Sequence, residues 1–361
     1  MKRLYWLALA LSLSFFSCGN EDSSENNNNN NKGETESTGT FAKGADISWC
    51  TEMESSGIKF YSAAGVQTEC TALMKSLGMN SIRLRVWVNP TGGWNNKEDV
   101  LAKALRAKNL NMRIMIDFHY SDSWADPGKQ IKPAAWKSMT LSQLKQAITN
   151  HTTEVLNLLK QNNITPEWVQ VGNEVSSGLL WDTDASLSGA TWDAKYSGVT
   201  YKTNETNFAA FLQTGYNAVK NVFPNAKVII HLPNGQKSDT STWICDILKK
   251  YSVNYDLLGL SLYPSTTSWQ SDVAACMANV SNVYSVYGKE TMICEVGMDV
   301  SQPAICKAFL TSLMSQAKTN GHCLGVFYWE PECYNWNSYR LGAFDQNNKP
   351  TSALDAFASV K

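Results

Sequence analysis

The sequence predicts an α/β protein of the (β/α)8, or TIM-barrel, class, and three observations carry that expectation. From Phe41 onward, short apolar segments alternate with loops and with stretches whose apolar residues recur at helical spacing. The alternation occurs eight times at about 40 residues per unit, the length a closed eightfold barrel requires. An open doubly wound sheet would carry a glycine-rich phosphate-binding turn after its first strand, and the sequence has none there.

The expected strands are, in order, 44–48, 81–87, 113–119, 167–173, 227–232, 257–263, 291–295 and 324–329. The fourth is the clearest: Glu167-Trp168-Val169-Gln170-Val171 alternates bulky and β-branched residues and then runs into Gly172-Asn173-Glu174. Helix-like runs such as 101–107 and 208–212 fall between strands. No linker, charge block or change of composition divides residues 41–361, which are therefore expected to form one domain.

The first 40 residues have a different character. Lys2 and Arg3 precede an apolar run from Leu4 to Phe16, too short for a permanent membrane span but suited to a signal-peptide core. Ser17-Cys18-Gly19 resembles a bacterial lipoprotein processing site, with Cys18 as the lipid-bearing N-terminus. The expected division is a signal peptide over 1–17, a lipidated Cys18 with a flexible polar tether over 18–40, and the barrel over 41–361. The tether holds six consecutive Asn and too few apolar residues to build a core. Such an anchor implies a lipid partner in the membrane and display on an outer bacterial surface.

A net charge of −1 argues against nucleic acid and suits a neutral substrate. The chain has 13 Trp, 14 Tyr and 12 Phe, enough both to pack a core and to stack against sugar rings. Apart from Cys18, eight cysteines remain, with no CxxC pair and no Cys/His zinc spacing; several lie in apolar segments, where free buried thiols are as acceptable as bridges.

In barrels of this class the functional groups collect at the C-terminal ends of the strands. Those ends carry Arg83 and Arg85, Asp117 and His119, Asn173 and Glu174, His231, Tyr263, Glu295, and Trp329 with Glu330. Glu174 and Glu295 fall on the fourth and seventh strands, taken to face each other across the barrel mouth. An ionised Glu is costly to bury unless it is paired or in use. Two carboxyl groups roughly 5–5.5 Å apart are what glycoside hydrolysis with retained configuration needs.

Several longer motifs now carry a resemblance. Gly44-Ala45-Asp46-Ile47-Ser48-Trp49, Ser81 to Pro90, Asp117-Phe118-His119-Tyr120-Ser121-Asp122-Ser123-Trp124-Ala125-Asp126-Pro127-Gly128 and Phe327-Tyr328-Trp329-Glu330-Pro331 resemble the arabinogalactan endo-β-1,4-galactanases, family 53 of the glycoside hydrolases. The resemblance runs to Leu341-Gly342-Ala343-Phe344-Asp345. It implies Glu174 as acid/base and Glu295 as nucleophile, acting on a β-1,4-galactan polysaccharide. Glu174 must then begin protonated, and Glu295 ionised beside Arg83 with Tyr263 donating to it. Asn173 is expected to hold the sugar 2-hydroxyl, Trp329 to lie under the sugar, and Trp124 and Trp181 to stack along the groove with Asp122 as a polar contact. Asp46 and His119 complete the substrate-side set. Arg83 could instead pair only with a core carboxylate such as Asp117, and His119, and still more His231, could be a satisfied core histidine; Arg85 is placed in a supporting network and His151 in a structural role.

Two departures stand out. Asp182, not proline, follows Trp181 and leads into a long polar segment, and the loop after the seventh strand has too few oxygen ligands for a calcium cage. No metal or other cofactor is therefore expected, and a monomer is. The rival readings are another retaining barrel enzyme, such as a β-mannanase or cellulase, a glycan-binding lipoprotein without catalysis, and a metal-dependent barrel hydrolase, which would want His-x-His on the first strand.

Overall fold

In a computed structural model that describes residues 40–181, 194–195 and 204–361, eight parallel strands close into one barrel. They are β1 (Ala42–Asp46), β2 (Ser81–Val86), β3 (Arg113–Phe118), β4 (Trp168–Val171), β5 (Lys227–Leu232), β6 (Leu257–Leu262), β7 (Glu290–Val296) and β8 (Cys323–Trp329). Each pairs with its sequence neighbours, and β1 closes on β8 with Asp46 opposite Trp329. All eight expected strands are present. β1 starts two residues before its expected position. β4 and β7 are three places apart around the ring rather than diametrically opposed.

The helices wrap the sheet: α1 (Cys50–Ser55), α2 (Cys70–Ser76), α3 (Lys97–Asn109), α4 (Leu141–Gln161), α5 (Glu205–Val222), α6 (Ser238–Lys250), α7 (Trp269–Tyr287), α8 (Pro303–Asn320) and α9 (Asp355–Ser359). Local chemistry sets their ends. Thr140 and Gln143 form a reciprocal capping box at the start of α4, and α8 begins on Pro303 and stops at Gly321 in the left-handed conformation. The expected Cys18 anchor and tether lie outside the described residues, as does most of the polar segment after Trp181. No helix among the described residues is long and apolar enough to cross a membrane.

Alternate positions on each strand point into the barrel, and their character changes along its axis. The lower layers are apolar: Ala42, Met115, Trp168, Ile229, Leu257, Met292 and Phe327 pack together. Gly44 leaves room for the Phe327 ring, since a Cβ there would lie 2.2 Å from it. The upper layer is polar, with Asp46, Arg83, Asp117, Gln170, His231 and Ser261 all buried. On β3, β4 and β5 the change from core to polar layer takes two residues, Met115 to Asp117, Trp168 to Gln170 and Ile229 to His231.

Strand β7 departs from strict alternation. Leu260 pairs with Ile293 but Ser261 pairs with Glu295, so Cys294 is an extra residue. The β8 side shows the same slip, with Val326 opposite Ile293 and Tyr328 opposite Val296. Bulges of this kind re-aim a side chain. Here Cys294 stays in the inner apolar cluster, and Glu295 is still delivered to the mouth.

Candidate active site

A cleft of about 330 Å³ opens at the C-terminal ends of the strands. Its walls include Glu174, Glu295, Asn173, Tyr263, His119, Trp124 and Trp329, together with Ala125, Asp126, Tyr339 and Leu341. Another hollow of about 490 Å³ lies at the opposite end, lined by Arg113, Glu167, Lys227 and Glu290 near the strand starts. Chemistry, not size, separates the two.

Glu174 is presented by a sharp turn. After β4 the backbone reverses through Gly172 at φ 84°, where a Cβ would meet Val175 at 2.5 Å, and Glu174 itself takes φ 47° and ψ 49°. A left-handed non-glycine residue costs about 1–3 kcal/mol and persists only where its surroundings fix it. Below it, Arg83 is fully buried and ties several strands together. Its guanidinium donates to Asp46 at 2.8 Å, Asp117 at 2.9 Å, Gln170 at 2.8 Å and Asn173 at 2.9 Å, and lies 3.0 Å from Glu295 Oε1. Arg83 thus pairs with the core carboxylates Asp46 and Asp117 and with Glu295. Tyr263 donates to the other Glu295 oxygen at 2.8 Å.

These contacts make the two acids unlike. Burial raises the affinity of Glu295 for a proton, and Arg83 and the Tyr263 hydrogen bond oppose it. Glu174 is pushed up to about 8, first by burial and then by the negative charge of Glu295, with Ser261 and the more distant Arg83 giving only partial relief. Glu295 therefore loses its proton first.

The other expected site residues separate into three groups. His119 lines the cleft, but its Nδ1 accepts from Trp87 Nε1 and the Ala125 amide while Nε2 faces Asp117, so both ring nitrogens are engaged within the protein. Trp124 and Trp329 line the cleft in an aromatic cluster with Trp49, and Tyr339 packs edge-on to Trp329 at 4.7 Å. Asp46 is buried, accepts from Arg83 and is not among the residues lining the cleft.

Two expected contacts fall elsewhere. Asp122 does not line the cleft, because its carboxylate accepts from the amides of Asn89 and Ala134 and so clamps two loops. Trp181 is buried, donates its indole N–H to the Ser177 carbonyl, and forms a bridge with Ile131, so it is not a stacking face on the cleft. His151 is packed against Phe118, Tyr120 and Trp136, and burial lowers it to about 4, in keeping with a structural role. The eight described cysteines are buried free thiols.

Sequence reading passed over Tyr339, Leu341 and Ser261. The first two come from the loop after β8, whose return to the mouth has no periodicity to announce it. Ser261 follows the inward alternation of β6 and was in principle legible.

Among the described residues, the one group of three acidic, histidine or cysteine side chains with ligand atoms within 4.8 Å of one another is Glu330, Glu332 and Cys333. Glu330 is already engaged, by Arg85 at one oxygen and by the Trp49 amide at 3.0 Å at the other. Glu332 is buried with both oxygens unpartnered, and burial and the neighbouring Glu330 raise it well above an ordinary carboxyl. The negative charge of Glu330 beside it favours the protonated form of Glu332.

The sequence profile of Glycosyl hydrolase family 53 matches residues 42–357, essentially the whole barrel. The chain belongs to that family. This family 53 chain is 29% identical over 349 residues to an arabinogalactan endo-beta-1,4-galactanase of Thermothelomyces thermophilus, covering 88% of this chain and 99% of the relative. It is 35% identical over 257 residues to an uncharacterized protein of Niallia circulans, covering 71% and 67%. A fungal beta-1,4-galactanase structure superposes with a TM-score of 0.77 at 28% identity, over 88% of this chain and 99% of that one. The family 53 catalytic domain of Ignisphaera aggregans gives 0.74 at 27%, over 88% and 95%. A xylanase A catalytic core at 12% identity and a TM-score of 0.60 shares the barrel fold.

Proposed function

We propose that this glycoside hydrolase is an endo-β-1,4-galactanase that cleaves galactan with retention, Glu295 acting as nucleophile and Glu174 as acid/base. The observation that carries the reading is the asymmetry of two carboxyls on one cleft: Glu295 has a guanidinium at 3.0 Å and a phenol at 2.8 Å, and Glu174 has neither. The similarity to proteins named as galactanases supplies the substrate class.

In the first step an oxygen of the Glu295 carboxylate attacks the anomeric carbon. The glycosidic C–O bond breaks, and the Glu174 proton passes to the departing oxygen. Forming the ester removes the Glu295 charge, so repulsion on the newly ionised Glu174 falls. In the second step Glu174 takes a proton from water, the water oxygen attacks the same carbon, and the Glu295 carboxylate leaves. Asn173 spends one amide hydrogen on the Ala125 carbonyl, and the other is free for a sugar hydroxyl in the cleft. Trp329 and Trp124 offer the apolar surface that a sugar ring covers.

The test is reducing-sugar release from linear β-1,4-galactan by wild type, Glu174→Ala and Glu295→Ala, with mannan and carboxymethylcellulose in parallel. Loss of several orders of magnitude in both variants, with galactan as the preferred polymer, supports the reading; full activity in either variant contradicts it. The same proposal places the enzyme on an outer bacterial surface as a lipid-anchored monomer. Cys18→Ala is expected to release it from membranes, and membrane retention of that variant would contradict the anchor.

A further inference from the structure

Arg83 and Arg85 leave β2 on the same face and are both fully buried, yet they are held differently. Oxygens surround Arg83. Arg85 has one close carboxylate: its Nη1 donates to Glu330, and Asp46 stands off at 4.0 Å. Its Nε and Nη2 have no hydrogen-bond partner, although both are sealed from solvent. The donors of a cation stripped of water need some other negative surface.

Four indole rings supply it. The guanidinium carbon lies 4.3 Å from the ring centre of Trp124, 5.2 Å from Trp49, 5.3 Å from Trp87 and 6.0 Å from Trp329. The face of an indole is electrically negative, and a guanidinium is weakly enough hydrated to exchange water for it. Of the four rings, Trp124 and Trp329 line the cleft, at 65° to one another with centres 5.7 Å apart. They form a corner, and a sugar seated in it meets both.

The two rings come from distant parts of the chain, Trp124 from the loop after β3 and Trp329 from the last position of β8. Arg85 bears on each by a separate route. It lies against the Trp124 ring directly. It reaches Trp329 through the next residue, because Glu330 takes φ 47° and its carboxylate accepts from Arg85 at one oxygen and from the Trp49 amide, at 3.0 Å, at the other. A left-handed non-glycine residue persists only where its surroundings fix it, and the ion pair with Arg85 helps to fix this one.

We propose that Arg85 is a positioning residue for the polysaccharide: it sets the angle between Trp124 and Trp329, and so governs how well the cleft grips a sugar ring, while the acid/base chemistry is left to other groups. Its ion pairs are with Glu330 and Asp46, not with Glu174 or Glu295. This inference rests on the reading of the Trp124 and Trp329 faces as the surface that a sugar covers.

Two measurements test it. Arg85→Lys keeps a positive charge beside Glu330 and removes the planar group that the rings enclose. On galactan it is expected to raise KM about tenfold, the worth of one desolvated cation–π contact, with kcat within about threefold of wild type and both pH limits of kcat/KM in place. A purely structural role would lower the melting temperature and the active fraction, which scales kcat and leaves KM alone. An unchanged KM, a loss confined to kcat, or a shifted pH limit overturns the proposal. The second measurement is a proton–nitrogen spectrum of the unmutated enzyme, in which the Arg85 Nε–H is expected far upfield of an ordinary arginine, shielded by the indole faces. An Nε–H at the ordinary position overturns it. Because that spectrum needs neither turnover nor sugar, it scores the ring cage by itself; a shielded Nε–H in an enzyme that leaves galactan uncut would mean that the substrate reading, and not the cage, had failed.

Discussion

Two pairs of carboxyl groups sit within this barrel mouth, and the difference between them is instructive. Glu174 and Glu295 line the cleft; Glu330 and Glu332 lie behind it, fully buried. In both pairs burial raises proton affinity, and in both an arginine of β2 neutralises one member, Arg83 for Glu295 and Arg85 for Glu330. Perturbed protonation alone would mark both as sites. They part over access and over what holds the second acid. Glu174 stands on a turn strained into the left-handed region and opens to the cleft. Glu332 has no route to substrate, and its neighbours are Glu330 and the thiols of Cys333 and Cys50. Arg85 is sandwiched by rings, its guanidinium carbon 4.3 Å from the Trp124 ring centre, so it supports the aromatic floor of the cleft from behind.

The comparison can be broken by substitution. The largest effect is expected in the open pair, where loss of either carboxyl removes about 10³-fold or more of kcat on galactan. Next comes Arg83→Met. It strands Asp46, Asp117 and Glu295 without their shared cation, which is expected to cost about 3–5 kcal/mol of stability, read from denaturant unfolding. It should also move the acid limb of activity to higher pH, because Glu295 loses the charge that favours ionisation.

The pH dependence sharpens the contrast. The proposed mechanism requires protonated Glu174, so kcat/KM is expected to fall above about 8; a flat profile through pH 9 would contradict the assignment. For the sealed pair the readout is stability. Glu332 holds its proton in the folded state well above the 4.5 at which an unperturbed Glu releases it. The unfolded chain therefore gains by ionising as pH rises above 4.5, and the folded state loses stability through that window. Glu332→Gln has no proton to release. Its activity should stay within about twofold of wild type, and its melting temperature relative to wild type should climb between pH 5 and 8. Smallest of all is the response to a chelator. Dialysis against EDTA is expected to leave galactan hydrolysis unchanged, and restoration by added calcium of activity lost to EDTA would count against a metal-free site.

The sequence disclosed the parts of this arrangement that rest on periodicity. All eight strands, the two catalytic candidates, Arg83 and Tyr263 come from alternation and strand-end placement, because a barrel converts position along a strand into height above the core. The bulge at Cys294 was hidden, since a one-residue slip leaves no trace in composition, although without it Glu295 would face the helices. Asp122 and Trp181 were misread for the same reason that Tyr339 was missed. Loop residues have no periodic constraint, so a carboxylate that clamps two amides and one that meets a sugar look alike in sequence. Which atoms meet among Asn173, His231 and Ser261 becomes visible only in coordinates.

The most direct test of the whole account is to trap the intermediate with a 2-deoxy-2-fluoro galactoside bearing an activated leaving group, then map the labelled peptide by mass spectrometry. The account predicts one sugar per chain, esterified to Glu295. Labelling of Glu174 or Glu330 instead, or turnover by inversion with no covalent species, would contradict it.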